Sequence, residues 1–325
     1  MVANCVVMVP SVANPDRALG HWTRVACFNS HGPGNDLPLL RRAVWDGQCA
    51  TRYSFAAAPA AEERDMSVEA QPVSVRGGMF NPPVYRAGSG APLLALHHAG
   101  GHGGRFGPEY EALAGHYEVV APVLPGWDDT PGLDQIDDVH DMTVFLQDLV
   151  DTLGLTSFNL LGHSLGGMFA AELAAARPDL VRKLVLVAPV GLWMDEAPVT
   201  DFFAVLPQDL PGIVFGDPAF AAQVQLPSDP DELAQMLYLQ MANFAAAGKF
   251  MWPIPDKGLK KRLHRISAPT LILWGDQDRL APPAYGPLFA AKIARSQLAT
   301  IAGAGHMLPI EKPAEYLAEV RAFLG

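Results

Sequence analysis

Three residue types, far apart in the chain, have the makings of one piece of chemistry. Ser164 sits in Gly162-His163-Ser164-Leu165-Gly166, with a glycine two residues to either side of its hydroxyl. A lone serine hydroxyl is a poor nucleophile at neutral pH. It needs a histidine to take its proton and an acid to fix that histidine's tautomer and orientation. His306, in the Gly-rich run "AGAGHMLPIEKP", is the candidate base; of the ten histidines it is the one that directly follows the last strand-like run. The candidate acid is Asp278 in "GDQDRLAPP", with Asp276 as the alternative. An acid at 276 could instead accept N–H groups of its own turn. The chain must also clear the strand end before a side chain reaches His306, which favours Asp278. Asp195 and Glu196 are a less favoured source of the acid, and His163 is expected to be structural.

Attack on a carbonyl also needs hydrogen-bond donors where the oxyanion forms. The backbone N–H of Leu165 is one. The other is expected from "HHAGGHGG", residues 97–104, with Ala99 favoured and His98 and Gly100 beside it. Trp127, Met241, Phe244 and Trp252, together with His98 and Gly100, are the expected substrate-binding residues.

These side chains need elements to hold them. The apolar run 158–161 reads as a buried strand and 168–176 as an alanine-rich helix, so Ser164 lies on a tight strand-to-helix turn at strained φ/ψ. Runs at 92–98, 117–123, 181–190, 268–275 and 297–305 have the look of further buried strands, and 107–115, 141–154 and 313–324 of helices. The amphipathic stripe of 141–154 is expected through Val144, Leu146, Leu149, Val150 and Leu153. Alternating strands and helices imply a parallel sheet covered on both faces, with ligands beyond the C-terminal strand ends.

Bulk properties narrow the partners. The chain has 325 residues, half of them apolar, and a formal charge of −11, which argues against nucleic acid or an anionic membrane as the main partner. No apolar run is long enough to span a bilayer. No secretory signal is evident, and Cys5, Cys27 and Cys49 form no disulfide framework; a cytoplasmic location is expected. Residues 1–65 balance six arginines against six acids, so the negative charge belongs to 66–325. They read as a weakly structured extension, or as residues preceding a true start at Met66. From Met66 a first hairpin is expected.

In order and spacing, "LHHAGGHGG", "VLPGWDD", "GHSLGG", "LILWGDQDRLAPP" and "GAGHMLPIEKP" resemble the α/β-hydrolase superfamily, in its branch of capped serine hydrolases and esterases. The resemblance covers about 260 residues of the chain. It implies an α/β-hydrolase fold: a mostly parallel central sheet flanked by helices, formed by 66–190 and 267–325, with a helical cap insertion at 191–266. Two features depart from the family. His97-His98 stands where His-Gly is common, and "PVLPGWDDT" where Asp-x-x-Gly-x-Gly-x-Ser is usual. In the insertion, Leu233, Met236, Leu237, Met241 and Phe244 have helical apolar spacing, and Lys257, Lys260, Lys261, Arg262 and Arg265 read as a solvated helix face.

The expected function is hydrolysis of an ester-type bond in a small, largely apolar molecule through an acyl-enzyme on Ser164. Two rivals stand beside it: hydrolysis of a carbon–carbon bond in an aromatic-derived diketone, and a non-catalytic binding protein on a hydrolase scaffold. No metal is implied, since there is no H-E-x-x-H and no clustered cysteines. No nucleotide cofactor is implied either, for want of a G-x-G-x-x-G after the first core strand. Oligomeric state is open.

Overall fold

A computed structural model of the chain describes residues 68–223, 226–254 and 256–325. The expectations about residues 1–65, their cysteines and a start at Met66 lie outside these residues. All the described residues belong to the unit Ala50–Gly325.

Apolar runs fold into the strands β1 (Gln71–Pro72), β2 (Pro83–Ala87), β3 (Pro92–Leu96), β4 (Glu118–Pro122), β5 (Phe158–His163), β6 (Val181–Val187), β7 (Thr270–Gly275) and β8 (Ser296–Ile301). They form one sheet in the order β1-β2-β4-β3-β5-β6-β7-β8. β1 and β2 are the expected hairpin, antiparallel to each other and, through β2, to β4; from β4 to β8 every pairing is parallel. β5 and β7 are buried at every residue, as unbroken apolar strands between two helical layers must be. β8, at the sheet's edge, leaves Gln297, Leu298 and Thr300 exposed.

Parallel neighbours need crossovers, and α1 (Pro108–Ala114), α2 (Val139–Thr152), α3 (Leu165–Ala176) and, after the insertion, a helix before β8 supply them. Asp138 caps α2 by accepting from the N–H groups of His140 and Asp141. The buried stripe of α2 runs through Met142, Phe145, Leu146, Leu149 and Val150, so Phe145 takes the inward place expected of Val144. α3 is buried from Leu165 to Ala175, which explains its small side chains: sheet, α2 and insertion all press on it.

Between β6 and β7 lie α4 (Pro211–Val214), α5 (Pro218–Ala221) and α6 (Pro230–Met251), then two short 3-10 turns, Leu259–Lys261 and Leu263–Arg265. The crossover helix before β8 is α7 (Tyr285–Ala290); α8 (Leu308–Glu311) and α9 (Pro313–Leu324) close the chain. α6 presents Asn243, Ala246, Ala247, Phe250 and Met251 inward. The basic run falls largely on the two 3-10 turns, with Lys260, Lys261 and Arg265 exposed as expected and Arg262 half-buried. Arg262 sets Nε and Nη2 each 2.6 Å from an oxygen of the buried Glu172 on α3. Arg265 donates to the Ala175 carbonyl at 3.0 Å, and Lys260 pairs with Asp256 at 3.0 Å. Arg262 and Arg265 fasten the insertion's end to α3.

Candidate active site

β5 ends in a sharp turn at Ser164, whose φ of 56° and ψ of −115° put a non-glycine residue where L side chains are strained. Such a conformation costs about 1–3 kcal/mol and persists only when its surroundings over-determine it. Here they do. Ser164 N–H donates to the Val187 carbonyl at 2.8 Å, and its own carbonyl accepts from Met168 at 3.1 Å and Val190 at 3.2 Å. The flanking glycines allow the crossing: a Cβ on Gly162 would lie 2.2 Å from the Gly166 carbonyl oxygen, and one on Gly166 2.4 Å from the carbonyl oxygens of Leu96 and His97. The elbow is thereby packed against the end of β3.

The loops after β7 and β8 meet at this turn. His306 Nε2 lies 2.8 Å from Ser164 Oγ, and His306 Nδ1 lies 2.8 Å from Asp278 Oδ2. All three residues are buried. With Nδ1–H donating to the carboxylate, Nε2 is left bare to accept the serine proton. Asp278 Oδ1 accepts from the N–H groups of Leu280 and Ala281, each at 2.9 Å, which fixes the carboxylate's plane. Asp276 has another place: its Oδ1 accepts from Gly303 N–H at 2.7 Å and ties the two loops together at the surface. Asp195 is engaged elsewhere, accepting from the Trp193 indole at 2.7 Å.

Three residues that sequence reasoning left without this role brace the loops. His163 Nε2 donates to the backbone carbonyl of His306 at 2.9 Å. The buried carboxylate of Glu311 accepts from Gly305 N–H at 2.6 Å, and also from Gly216 at 3.1 Å and Asp217 at 2.6 Å in the insertion. Arg279, next to Asp278, donates to the Gly212 carbonyl at 2.8 Å and reaches those of Phe215 and Gly216 at 3.5 and 3.4 Å. The adjacent basic and acidic groups of "DQDR" and "IEKP" were the available signal.

The backbone N–H of Leu165 opens α3 and so lacks an intrahelical partner. In the loop after β3, His97 Nε2 accepts from Leu124 N–H at 3.1 Å, so its Nδ1 is the donor to the His98 carbonyl at 2.8 Å. Gly100 N–H is taken by His98 Nδ1 at 2.9 Å, which leaves the N–H groups of His98 and Ala99 among the three expected donors. Burial holds four histidines below their ordinary pKa. His98 falls to about 3, through burial and then through His97 and His306. His97 is lowered, and His102 and His163 fall well below, burial being the first cause for each.

The other expected binding residues are Trp127, Met241, Phe244 and Trp252. Trp127 is fully buried; its indole N–H donates to the Ala99 carbonyl at 2.8 Å and its ring stacks on Phe250 at 5.8 Å. It supports the loop from behind rather than lining a cleft. Met241, within α6, is 71% exposed and Trp252, at its C-terminal end, 58%. Phe244 packs on Phe202 at 5.2 Å within the insertion's own aromatic cluster.

Known proteins share this architecture. The chain is 30% identical over 196 residues to the sn-1-specific diacylglycerol lipase ABHD11 of Mus musculus, covering 56% of this chain and 64% of that one. A second relative, the dihydrolipoyllysine-residue acetyltransferase component of the acetoin cleaving system of Pseudomonas putida, is 27% identical over 249 residues, 72% of this chain and again 64% of that protein. The chain thus spans under two thirds of these two relatives. The pimeloyl-[acyl-carrier protein] methyl ester esterase of Aeromonas salmonicida is 27% identical over 257 residues, 74% of this chain and 98% of that one. Among solved structures, a bacterial membrane phospholipase A superposes with a TM-score of 0.66 at 24% identity, over 79% of this chain and 86% of that chain; at that identity it speaks for the fold. The sequence model of the alpha/beta hydrolase family matches residues 93–320, a span running from β3 into α9 and containing the elbow and both loops that meet it; the chain belongs to that family.

Proposed function

We propose that the protein is a serine hydrolase that cleaves an ester-type bond of a small, largely apolar molecule through an acyl-enzyme. The observation that carries this reading is the unbroken relay at 2.8 Å per link from Ser164 Oγ through His306 to Asp278. His306 Nε2 takes the hydroxyl proton as Oγ bonds to the carbonyl carbon. The resulting oxyanion rests on the N–H groups of Leu165 and Ala99. Collapse breaks the ester C–O bond, and the same proton passes from His306 to the departing alkoxide. Water then loses a proton to His306, attacks the acyl-enzyme and releases the acid, with the proton returned to Ser164.

The relatives named as a diacylglycerol lipase and a methyl ester esterase support an ester over a carbon–carbon bond. The 191–266 insertion is the cap in this reading.

The test is covalent labelling with a fluorophosphonate alongside turnover of a short-chain p-nitrophenyl ester. Label and turnover are lost in Ser164→Ala and kept in the remote Ser157→Ala. Label on any other residue, or turnover surviving Ser164→Ala, overturns the reading; label at Ser164 without turnover of esters points to the carbon–carbon alternative, read with a vinylogous diketone, and neither label nor turnover returns the scaffold to the binding-protein alternative.

A further inference from the structure

The loop after β3 is pinned by side chains from separate parts of the chain, and one of them belongs to the insertion. The His98 carbonyl accepts from His97 Nδ1 at 2.8 Å and from Gly101 N–H at 3.1 Å. The Ala99 carbonyl accepts from the Trp127 indole at 2.8 Å, and the Gly100 carbonyl from Asn243 Nδ2 at 2.8 Å, on α6. Three consecutive carbonyls are therefore fixed. Because a trans peptide is planar, holding the carbonyl of residue 98 also sets the opposed direction of the Ala99 N–H.

Asn243 is only 2% exposed, and its amide is fully used. Oδ1 accepts from Asp128 N–H at 2.8 Å, while Nδ2 gives to the Gly100 carbonyl and, at 2.9 Å, to Asp128 Oδ1. The other Asp128 oxygen takes the His102 N–H at 2.7 Å, at the far end of the same loop. The fit is close: a Cβ on Gly101 would sit 2.7 Å from Asp128 Oδ1 and 2.8 Å from Asn243 Nδ2. Asp128 has a φ of 47° and Asp129 one of 59°, two successive non-glycine residues in left-handed backbone. On the pattern Asp-x-x-Gly-x-Gly-x-Ser, laid along "VLPGWDDT", Asp128 stands at the second glycine. A carboxylate thus occupies a backbone position suited to glycine, and it is spent on joining loop to insertion.

We propose that Asn243 and Asp128 are positioning residues for the oxyanion donor at Ala99. The amide carried by α6 and the strained carboxylate together hold the loop 98–102 in the one arrangement that aims that N–H at the reacting carbonyl. This rests on the acyl-transfer reading of Ser164. Both departures from the family pattern, at His98 and at Asp128, then belong to a single device: the insertion completes the oxyanion site of the core.

The test uses the full chain and three variants. Asp128→Gly removes both carboxylate contacts while relieving the backbone, so it separates positioning from folding. Asn243→Leu removes the amide, and Gln235→Ala, on the exposed face of α6, is the control. Steady-state hydrolysis of p-nitrophenyl butyrate, thermal melting, and affinity for an alkyl trifluoromethyl ketone, whose adduct with serine carries an oxyanion, are the readouts. Asp128→Gly is expected to melt at or above the wild-type temperature. Its kcat falls about tenfold to a hundredfold with KM within about twofold, and ketone affinity falls in step with kcat/KM. Asn243→Leu loses kcat in the same sense, the double variant is about as slow as the slower single, and Gln235→Ala is unchanged. A folded Asp128→Gly with wild-type kcat and ketone affinity, or a loss confined to KM, overturns the proposal. A wild-type protein that neither hydrolyses esters nor labels at Ser164 overturns the acyl-transfer reading instead, and this proposal falls with it.

Discussion

His163 Nε2 donates to the backbone carbonyl of His306 across 2.9 Å, so the residue before the nucleophile holds the main chain of the base. Burial keeps that imidazole neutral, and its ring lies 5.4 Å from the ring of His306. His163→Phe keeps a ring and deletes the donor. It is expected to cost about 1 kcal/mol of stability and to lower kcat more than it raises KM, measured by urea unfolding and ester hydrolysis. Unchanged kcat in the folded variant would show that His306 needs no such brace.

The two acids of "GDQD" separate by what each one touches. Asp278→Asn sets an amide against His306 Nδ1 and disturbs the tautomer; the analogous change in a well-studied protease lowers kcat about ten-thousandfold, and a drop of that order is expected here. Asp276→Asn still offers an oxygen to Gly303 N–H, and kcat is expected to stay within about twofold of wild type. Comparable losses in acylation rate from the two variants would remove the distinction.

Glu172 is the buried partner of Arg262, bound through two hydrogen bonds of 2.6 Å. Arg262→Ala strands the carboxylate on α3 and is expected to cost about 3 kcal/mol, read from urea unfolding. Arg262→Ala with Glu172→Ala should cost less than the sum of the single changes. Strict additivity would mean that the pair fastens nothing.

Four neutral histidines give the fold a dependence on acidity. His97, His98, His102 and His163 have folded pKa values below the ordinary 6.5. The unfolded chain therefore binds more protons once the pH drops below 6.5, and stability is lost as pH falls from there toward the folded values. Each such group contributes a slope of up to about 1.4 kcal/mol per pH unit. Urea unfolding at pH 7.5, 6.5 and 5.5 should show stability falling across the lower interval, with net uptake of more than one proton. A flat profile would mean that these rings are protonated in the folded protein.

What could be read from the sequence was what short stretches of chain determine. The elbow needs only a buried strand, a helix and glycines at fixed offsets. The order of Asp276 and Asp278 follows from how far a chain must run past its strand. The insertion resisted reading because helical spacing was judged by bulk. Met241 and Phe244 suggested the inward face, yet α6 turns Asn243, Ala246 and Ala247 inward, where small side chains let it press on loop backbone. A single amide within that stripe was the overlooked signal. Trp127 and Arg262 misled in a similar way: an aromatic near a site and a cation in a basic run each suggest an exposed side chain, and these two are spent on internal hydrogen bonds.

The stretch 212–217 hangs by its carbonyls from Arg279, one residue from Asp278, and by its amides from Glu311, which also grips Gly305, one residue from His306. Lifting that stretch strips partners from both loops in the same movement. The placement of that stretch and the alignment of acid and base therefore rest on the same few contacts.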